Sequence, residues 1–264
     1  MSLGRLRRQW EAHGRRNALA AILTPSGNQP EWDEGAFLET GRSHIGHLMQ
    51  EADRLAPHRQ RRRALDFGCG IGRLTVALAE YYGEVVGVDI ASSMVEKARR
   101  RNPAPDRIRY EHNTDPDLLR FPSGGFDLVC SWIVLQHMAP SLIKAYITDL
   151  VRLVAPGGLL VFQLPADTVS AEVHEQFVGA PVEGGRLKRS VPAWLLRPYR
   201  ELKYHWFRRS SSYMAMNGLA REDVISLVER AGGRLLEVRP DHSHGTPCPG
   251  FSYWVTRGAS KTQG

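Results

Sequence analysis

"ALDFGCGIGRLT", Ala64 to Thr75, runs a short apolar strand through Asp66 and Phe67 into three glycines at alternate positions, Gly68, Gly70 and Gly72. A strand that feeds a glycine-rich turn at the start of a helix lets backbone N–H groups approach a ligand closely. The spacing says which ligand. A dinucleotide pyrophosphate needs glycines at the first, third and sixth places, and counting from Gly68 the sixth place holds Arg73. Asp66 argues the same way, because a carboxylate repels phosphate and attracts an ammonium group.

Outward from this loop, apolar runs alternate with helix-like stretches. "EVVGVD" ends at Asp89, and "RIRYEH", "FDLVCSWIVL" and "GGLLVFQLP" follow, with helical patterns at about 73–81, 92–101 and 141–154 between them. Such alternation means βαβ crossovers and a parallel sheet with ligands outside the carboxyl ends of its strands. Near the end, "REDVISLVERAGG" reads as a helix closed by glycine. "RLLEVR" and "FSYWVT" then follow with no room for a crossover helix, so they pair antiparallel. The expected fold is α/β, a Rossmann-like three-layer sandwich with a mostly parallel seven-stranded sheet and an antiparallel last strand. Four segments are expected: a helical N-terminal arm or cap over 1–62, a ligand-binding core over 63–165, a helical insertion or lid over 166–218, and the last helix and strand pair over 219–264.

With 264 residues and 42% apolar content, the chain can bury one sizeable core. No apolar run approaches the roughly 20 residues of a membrane span, and "ALAAIL" (Ala18–Leu23) is short for a signal peptide. The first 16 residues, rich in arginine with Glu11 their one acid, leave a transit peptide open. Cys69, Cys130 and Cys248 are odd in number and far apart, which fits neither a disulfide framework nor a paired-cysteine zinc site. A cytoplasmic location and no metal are the expectations. The net charge of +7 favours acidic partners, or is spread over solvated faces. The basic, aromatic "LLRPYRELKYHWFRR" leaves peripheral membrane contact open.

Asp89, closing the second strand, is placed to accept hydrogen bonds from both hydroxyls of a ribose. An unsubstituted ribose joined to a cationic, phosphate-free tail describes S-adenosylmethionine. "LDFGCGIG" and "VVGVDIASSMVEKAR" together resemble the first two motifs of the class I S-adenosylmethionine-dependent methyltransferases. "RFPSGGFDLVCSWIVLQHM" and "LVRLVAPGGLLVFQLP" resemble the family's fourth-strand and fifth-strand regions, so the resemblance covers Arg63 to Pro165 and, more faintly, the terminal strand pair. It implies that Gly68, Cys69 and Gly70 wrap the methionine part of S-adenosylmethionine, that Asp89 holds the ribose and that Ile90 lies against adenine. It also implies that Ser131 and Trp132 touch the methionine portion, although Trp132 fits a core position equally. Asn113 either meets the adenine edge or caps its strand, since "HNTD" stands where the family has "GDA" and leaves Asp115 as a competitor. Arg42 either reaches the cofactor carboxylate, as an arginine ahead of the glycine motif does in some relatives, or forms a surface ion pair.

Methyl transfer from a sulfonium is a one-step displacement, so the protein's main task is alignment. A hydroxyl acceptor also needs a base. His137, just past the fourth strand, is one candidate; His242 and His244, in the loop joining the last two strands beside Asp241, are the others. Some relatives that methylate quinone-type phenols carry metal-associated acids beside the first of these histidines, and here Ile133 and Gln136 stand in those places. The leading reading is methylation of an oxygen or nitrogen on a small-molecule acceptor, a natural product or sugar derivative. RNA methylation is the alternative enzyme reading, although no RNA-binding module is visible and "SWIV" replaces the "NPPY" of nucleobase-amino enzymes. A cofactor-binding or membrane-associated regulator is the non-catalytic alternative.

Overall fold

The computed structural model describes residues 2–23, 32–167, 216–243 and 248–258. Two helices come first, α1 (Leu3–Ile22) and α2 (Glu34–Leu55). Asp33 starts α2 by accepting the Ala36 N–H at 2.9 Å, which satisfies one of the helix's orphan donors. Its apolar stripe, Phe37, Gly41, Ile45, Leu48 and Ala52, recurs every three to four residues and is buried. α1 kinks at Asn17, whose side chain accepts the Ala20 N–H and restarts the helix.

Next come β1 (Arg63–Phe67), α3 (Arg73–Leu78), β2 (Glu84–Asp89), α4 (Ser92–Arg100), β3 (Ile108–His112), β4 (Phe126–Ser131), α5 (Pro140–Leu153) and β5 (Val154–Pro165). The chain closes with α6 (Arg221–Arg230), β6 (Gly233–Pro240) and β7 (Gly250–Arg257). The seven strands lie in the order β3-β2-β1-β4-β5-β7-β6. β7 is antiparallel to both its neighbours and every other pairing is parallel, as the short terminal connection requires.

Alternate residues of the central strands serve opposite faces. Leu65, Phe67, Val86, Val88 and Val129 pack with α5 and α6, while Ala64, Val85, Leu128 and Cys130 pack with α2, α3 and α4. Burial on both faces explains why these strands read as continuous apolar runs. β4 stops at Ser131, earlier than "FDLVCSWIVL" suggests, because Ile133 takes φ +59° and the chain turns through a 3-10 segment at Leu135–His137. The chain builds outward from β1 to β3 and then crosses back to β4, so the order reverses at β1. That reversal opens a crevice at the carboxyl ends of β1, β2 and β4, where ligands of such sheets bind. The expected insertion over 166–218 lies almost wholly outside the described residues.

Candidate active site

The glycine loop leaves β1 by a tight turn in which the N–H groups of Gly68 and Cys69 both donate to the Val88 carbonyl of β2, at 2.8 and 3.0 Å. Gly68 and Gly70 take φ +80° and +55°, a region that favours glycine. A Cβ on Gly68 would come within 2.3 Å of Val134, and one on Gly70 within 2.6 Å of Ile22. Asp89 ties the loop to the next strand. One carboxylate oxygen accepts the Gly70 N–H at 2.9 Å and the other the Ala91 N–H at 2.8 Å, so each keeps a lone pair for a further donor. Burial raises the Asp89 pKa above the usual carboxylate range, against the pull of these backbone donors.

A cleft of about 800 Å³, its open mouth included, lies over these strand ends. Gly68, Asp89, Ile90, Asn113, Trp132 and His137 line it, all singled out from the sequence. Asn113 is buried, and its amide donates to the Asp115 and Asp117 carbonyls while its Oδ1 has no partner among the described residues. The side chain thus pins the following loop and keeps one acceptor oxygen unpaired among the described residues. His137 sits edge-on to Trp10, ring centroids 5.3 Å apart.

Other expectations are corrected. Arg42 does not reach the cleft: it is half exposed on α2 and pairs with Glu80 and Glu39. Asp66 lies behind the loop, 2% exposed, because the alternation of β1 turns it with Ala64 toward α3. There it accepts the Thr75 hydroxyl at 2.6 Å and the Cys130 thiol at 3.8 Å, and burial pushes its carboxyl up to about 6. Cys69, Gly70 and Ser131 do not line the cleft; Cys69 and Ser131 are buried among the strand ends. His242 is exposed and is not part of the cleft lining. His244 lies outside the described residues.

The sequence reading missed what distant segments bring. α1 roofs the cleft with Leu6, Trp10, Ala21 and Ile22, and Arg73 completes its wall. The apolar "ALAAIL" run was the available signal for the roof. A second cavity adjoins the first, with Trp132 in the lining of both. Its wall also includes His44, Arg239, Asp241 and Trp254. The His44 ring stands edge-on to Trp132 at 4.6 Å, and burial, with the charge of Arg73, lowers its pKa to about 4. His44 Nε2 and Trp254 Nε1 have no hydrogen-bond partner among the described residues.

The family model described as "Methyltransferase domain" matches residues 64–158, the stretch that carries the glycine loop, Asp89 and β4. By sequence, residues 64–158 match a methyltransferase domain, the domain of the class I S-adenosylmethionine-dependent enzymes. It is 40% identical over 98 residues to 2-methyl-6-phytyl-1,4-hydroquinone methyltransferase of Synechocystis sp., 37% of this chain and 30% of that protein. It is 32% identical over 100 residues to the ubiquinone biosynthesis O-methyltransferase of Maricaulis maris, 38% of this chain and 39% of that protein. These matches therefore span well under half of either relative. The solved magnesium protoporphyrin IX methyltransferase of Synechocystis PCC 6803, with bound SAH, superposes with a TM-score of 0.60 over 96% of this chain and 98% of its own. At 16% identity that likeness is one of fold. For a methyltransferase of this class the cleft's groups suit S-adenosylmethionine: two carboxylate lone pairs at the end of β2, an unpaired amide oxygen beyond β3, and a glycine turn with no room for side chains. No described helix is long and apolar enough to cross a membrane.

Proposed function

We propose that this chain transfers a methyl group from S-adenosylmethionine to an oxygen or nitrogen of a small molecule, a natural product or sugar derivative bearing a ring. The observation that carries the reading is the pair of cavities sharing Trp132, one suited to the nucleoside and the other free for an acceptor. The names of the two curated relatives, one citing a hydroquinone and the other an O-methyltransferase, support a ring-bearing acceptor and oxygen as its reacting atom.

The bound cofactor supplies a sulfonium methyl already activated for displacement. Asp89 would hold the ribose hydroxyls by accepting hydrogen bonds from them, Ile90 would pack on the base, and Asn113 Oδ1 would accept from the adenine amino group. The Gly68–Gly70 turn lets the chain pass close to the methionine part. Trp132 and Trp254 flank the acceptor as flat apolar walls, and the unpaired His44 Nε2 and Trp254 N–H offer it hydrogen bonds. At pH 7 the His44 imidazole is neutral, given its lowered pKa. Holding the two reactants in attack geometry is worth roughly 7–11 kcal/mol of barrier. His137, on the cleft wall beyond β4, is the base for a hydroxyl acceptor. In this reading residues 1–62 cap the cleft, 63–165 bind the cofactor and the β6–β7 end completes the acceptor wall.

The test is methyl transfer from labelled S-adenosylmethionine to a panel of phenols, hydroxylated sugars, amines, and RNA. Label on an oxygen or nitrogen of a small molecule is expected, with His137→Asn lowering kcat by about 10²-fold on a hydroxyl acceptor. Label on a ring carbon, or transfer only to RNA, contradicts the proposal, and an unchanged kcat removes His137 as base.

A further inference from the structure

Gln163, near the carboxyl end of β5, is fully buried, and neither its amide nitrogen nor its amide oxygen has a hydrogen-bond partner among the described residues. Leaving both halves of an amide unmet in the interior is costly. Its place on the sheet shows what lies nearest. The alternation of β5 turns Gln163 to the face of Leu159 and Val161, which pack with Trp132 and Trp254. Ser252 of β7 is its direct cross-strand partner. On the other side Trp132 follows Ser131, the partner of Phe162 in β4. Trp132, Ser252 and Trp254 all line the second cavity, so Gln163 stands between lining residues on the sheet side of that cavity. Two more buried nitrogens of the lining are unmet, Trp254 Nε1 and His44 Nε2. The lining arginine does not await an anion, since Arg239 is engaged by Glu51 and Glu237.

An unmet donor and an unmet acceptor on one side chain, next to two tryptophans, call for an occupant that does both jobs on neighbouring atoms. We infer that the methyl acceptor carries two hydroxyls on adjacent ring atoms and that Gln163 selects for them. Its amide N–H donates to one hydroxyl oxygen, and its Oε1 accepts from the next. The inference deepens the proposed function and rests on the second cavity being the acceptor site. A hydroxyl both donates and accepts, so the pair fits whichever way the amide is turned. A ring with a lone hydroxyl leaves half of the amide unmet, and that unmet half is what rejects it. Trp254 N–H and His44 Nε2 remain for further oxygens of the same ring. Such a pair of hydroxyls belongs to a sugar ring or to a catechol.

Ligand-observed NMR on the protein saturated with S-adenosylhomocysteine separates these cases. The probes are the methyl pyranosides of mannose, galactose and glucose, each beside its 3-deoxy counterpart, which keeps no two hydroxyls on adjacent carbons, and catechol beside phenol. At least one diol is expected to bind about 10- to 100-fold more tightly than its counterpart, and whether it is a glycoside or catechol identifies the ring. Gln163→Met, close in volume, should bring the two members of that pair to a similar weak affinity while S-adenosylhomocysteine binds as in wild type. A glutamine with a merely structural role would weaken both members alike and keep their ratio. A wild-type ratio near one for every pair, no binding of any diol, or an undiminished ratio in Gln163→Met overturns the inference. If Gln163→Met does not fold, an undiminished ratio in Gln163→Asn decides against it. Methylation of a small molecule that lacks the paired hydroxyls sinks the inference and leaves the proposed function standing, whereas transfer only to RNA or to a ring carbon refutes that function itself.

Discussion

Asp66 carries a cost of ionisation that the fold has to bear. Burial pushes its carboxyl up to about 6, outweighing the Thr75 hydrogen bond and the charge of Arg73. An unfolded chain releases that proton near pH 4, so the stability tied to the protonated group is full below pH 4 and lost as pH rises through 6. Asn keeps an oxygen for the Thr75 hydroxyl and has nothing to ionise. Without ligand, Asp66→Asn is therefore expected to be more stable than wild type by about 2–3 kcal/mol at pH 8 and no more stable below pH 4. Urea melts across that range check it, and equal stability at pH 8 would mean that the carboxylate is hydrated. The position of Asp66 was in fact legible, since the period-two alternation of β1 sends it to the α3 side with Ala64. Reading it as an ammonium contact gave the chemistry of the residue precedence over the geometry of its strand.

At the scale of elements, α1 roofs the cleft. Its anchor is Glu11, whose carboxylate accepts the Ser92 and Ser93 N–H groups at the start of α4, at 2.6 and 3.2 Å. Ser93 Oγ returns a bond to the Glu11 carbonyl, and Lys97 donates to the Gly14 carbonyl. Burial raises the Glu11 pKa, but these Ser92 and Ser93 bonds outweigh it and leave it lowered. Glu11→Ala should cost about 1 kcal/mol of stability, the usual worth of a helix-capping side chain. It should also quicken S-adenosylhomocysteine release several-fold in stopped-flow displacement; an unchanged off-rate would show that α1 does not gate the cleft. Little of this was visible in the sequence. Glu11 and Ser92 lie 81 residues apart, and no local pattern links a helix acid to a distant helix start. The sheet, by contrast, was legible almost throughout, because the central strands carry apolar runs and the short link between the last two strands fixes their antiparallel pairing.

At the scale of the whole molecule, several arginines among the described residues are paired with carboxylates. Arg59 and Arg61 share Asp53, Arg62 holds Asp127, Arg63 and Arg109 share Glu84, and Arg239 bridges Glu51 and Glu237. The 59–63 cluster thus ties α2 to the amino ends of the strands. Net charge gave no warning of this, since it counts residues without their neighbours. The cleft lining was legible where the chain is contiguous, from Gly68 through Asp89 and Ile90 to Asn113. Arg73, Trp10 and His44 were not, because they reach the cleft or its adjoining cavity only through the packing of α1, α2 and α3. The account depends above all on a nucleoside with a free ribose seated on Asp89. Calorimetric titration of S-adenosylhomocysteine into wild type and Asp89→Ala tests that directly: saturable one-to-one binding is expected, weakened by at least about 10²-fold in the variant. Equal affinity in the two proteins, or tighter binding of a nicotinamide dinucleotide in the same cell, would contradict it.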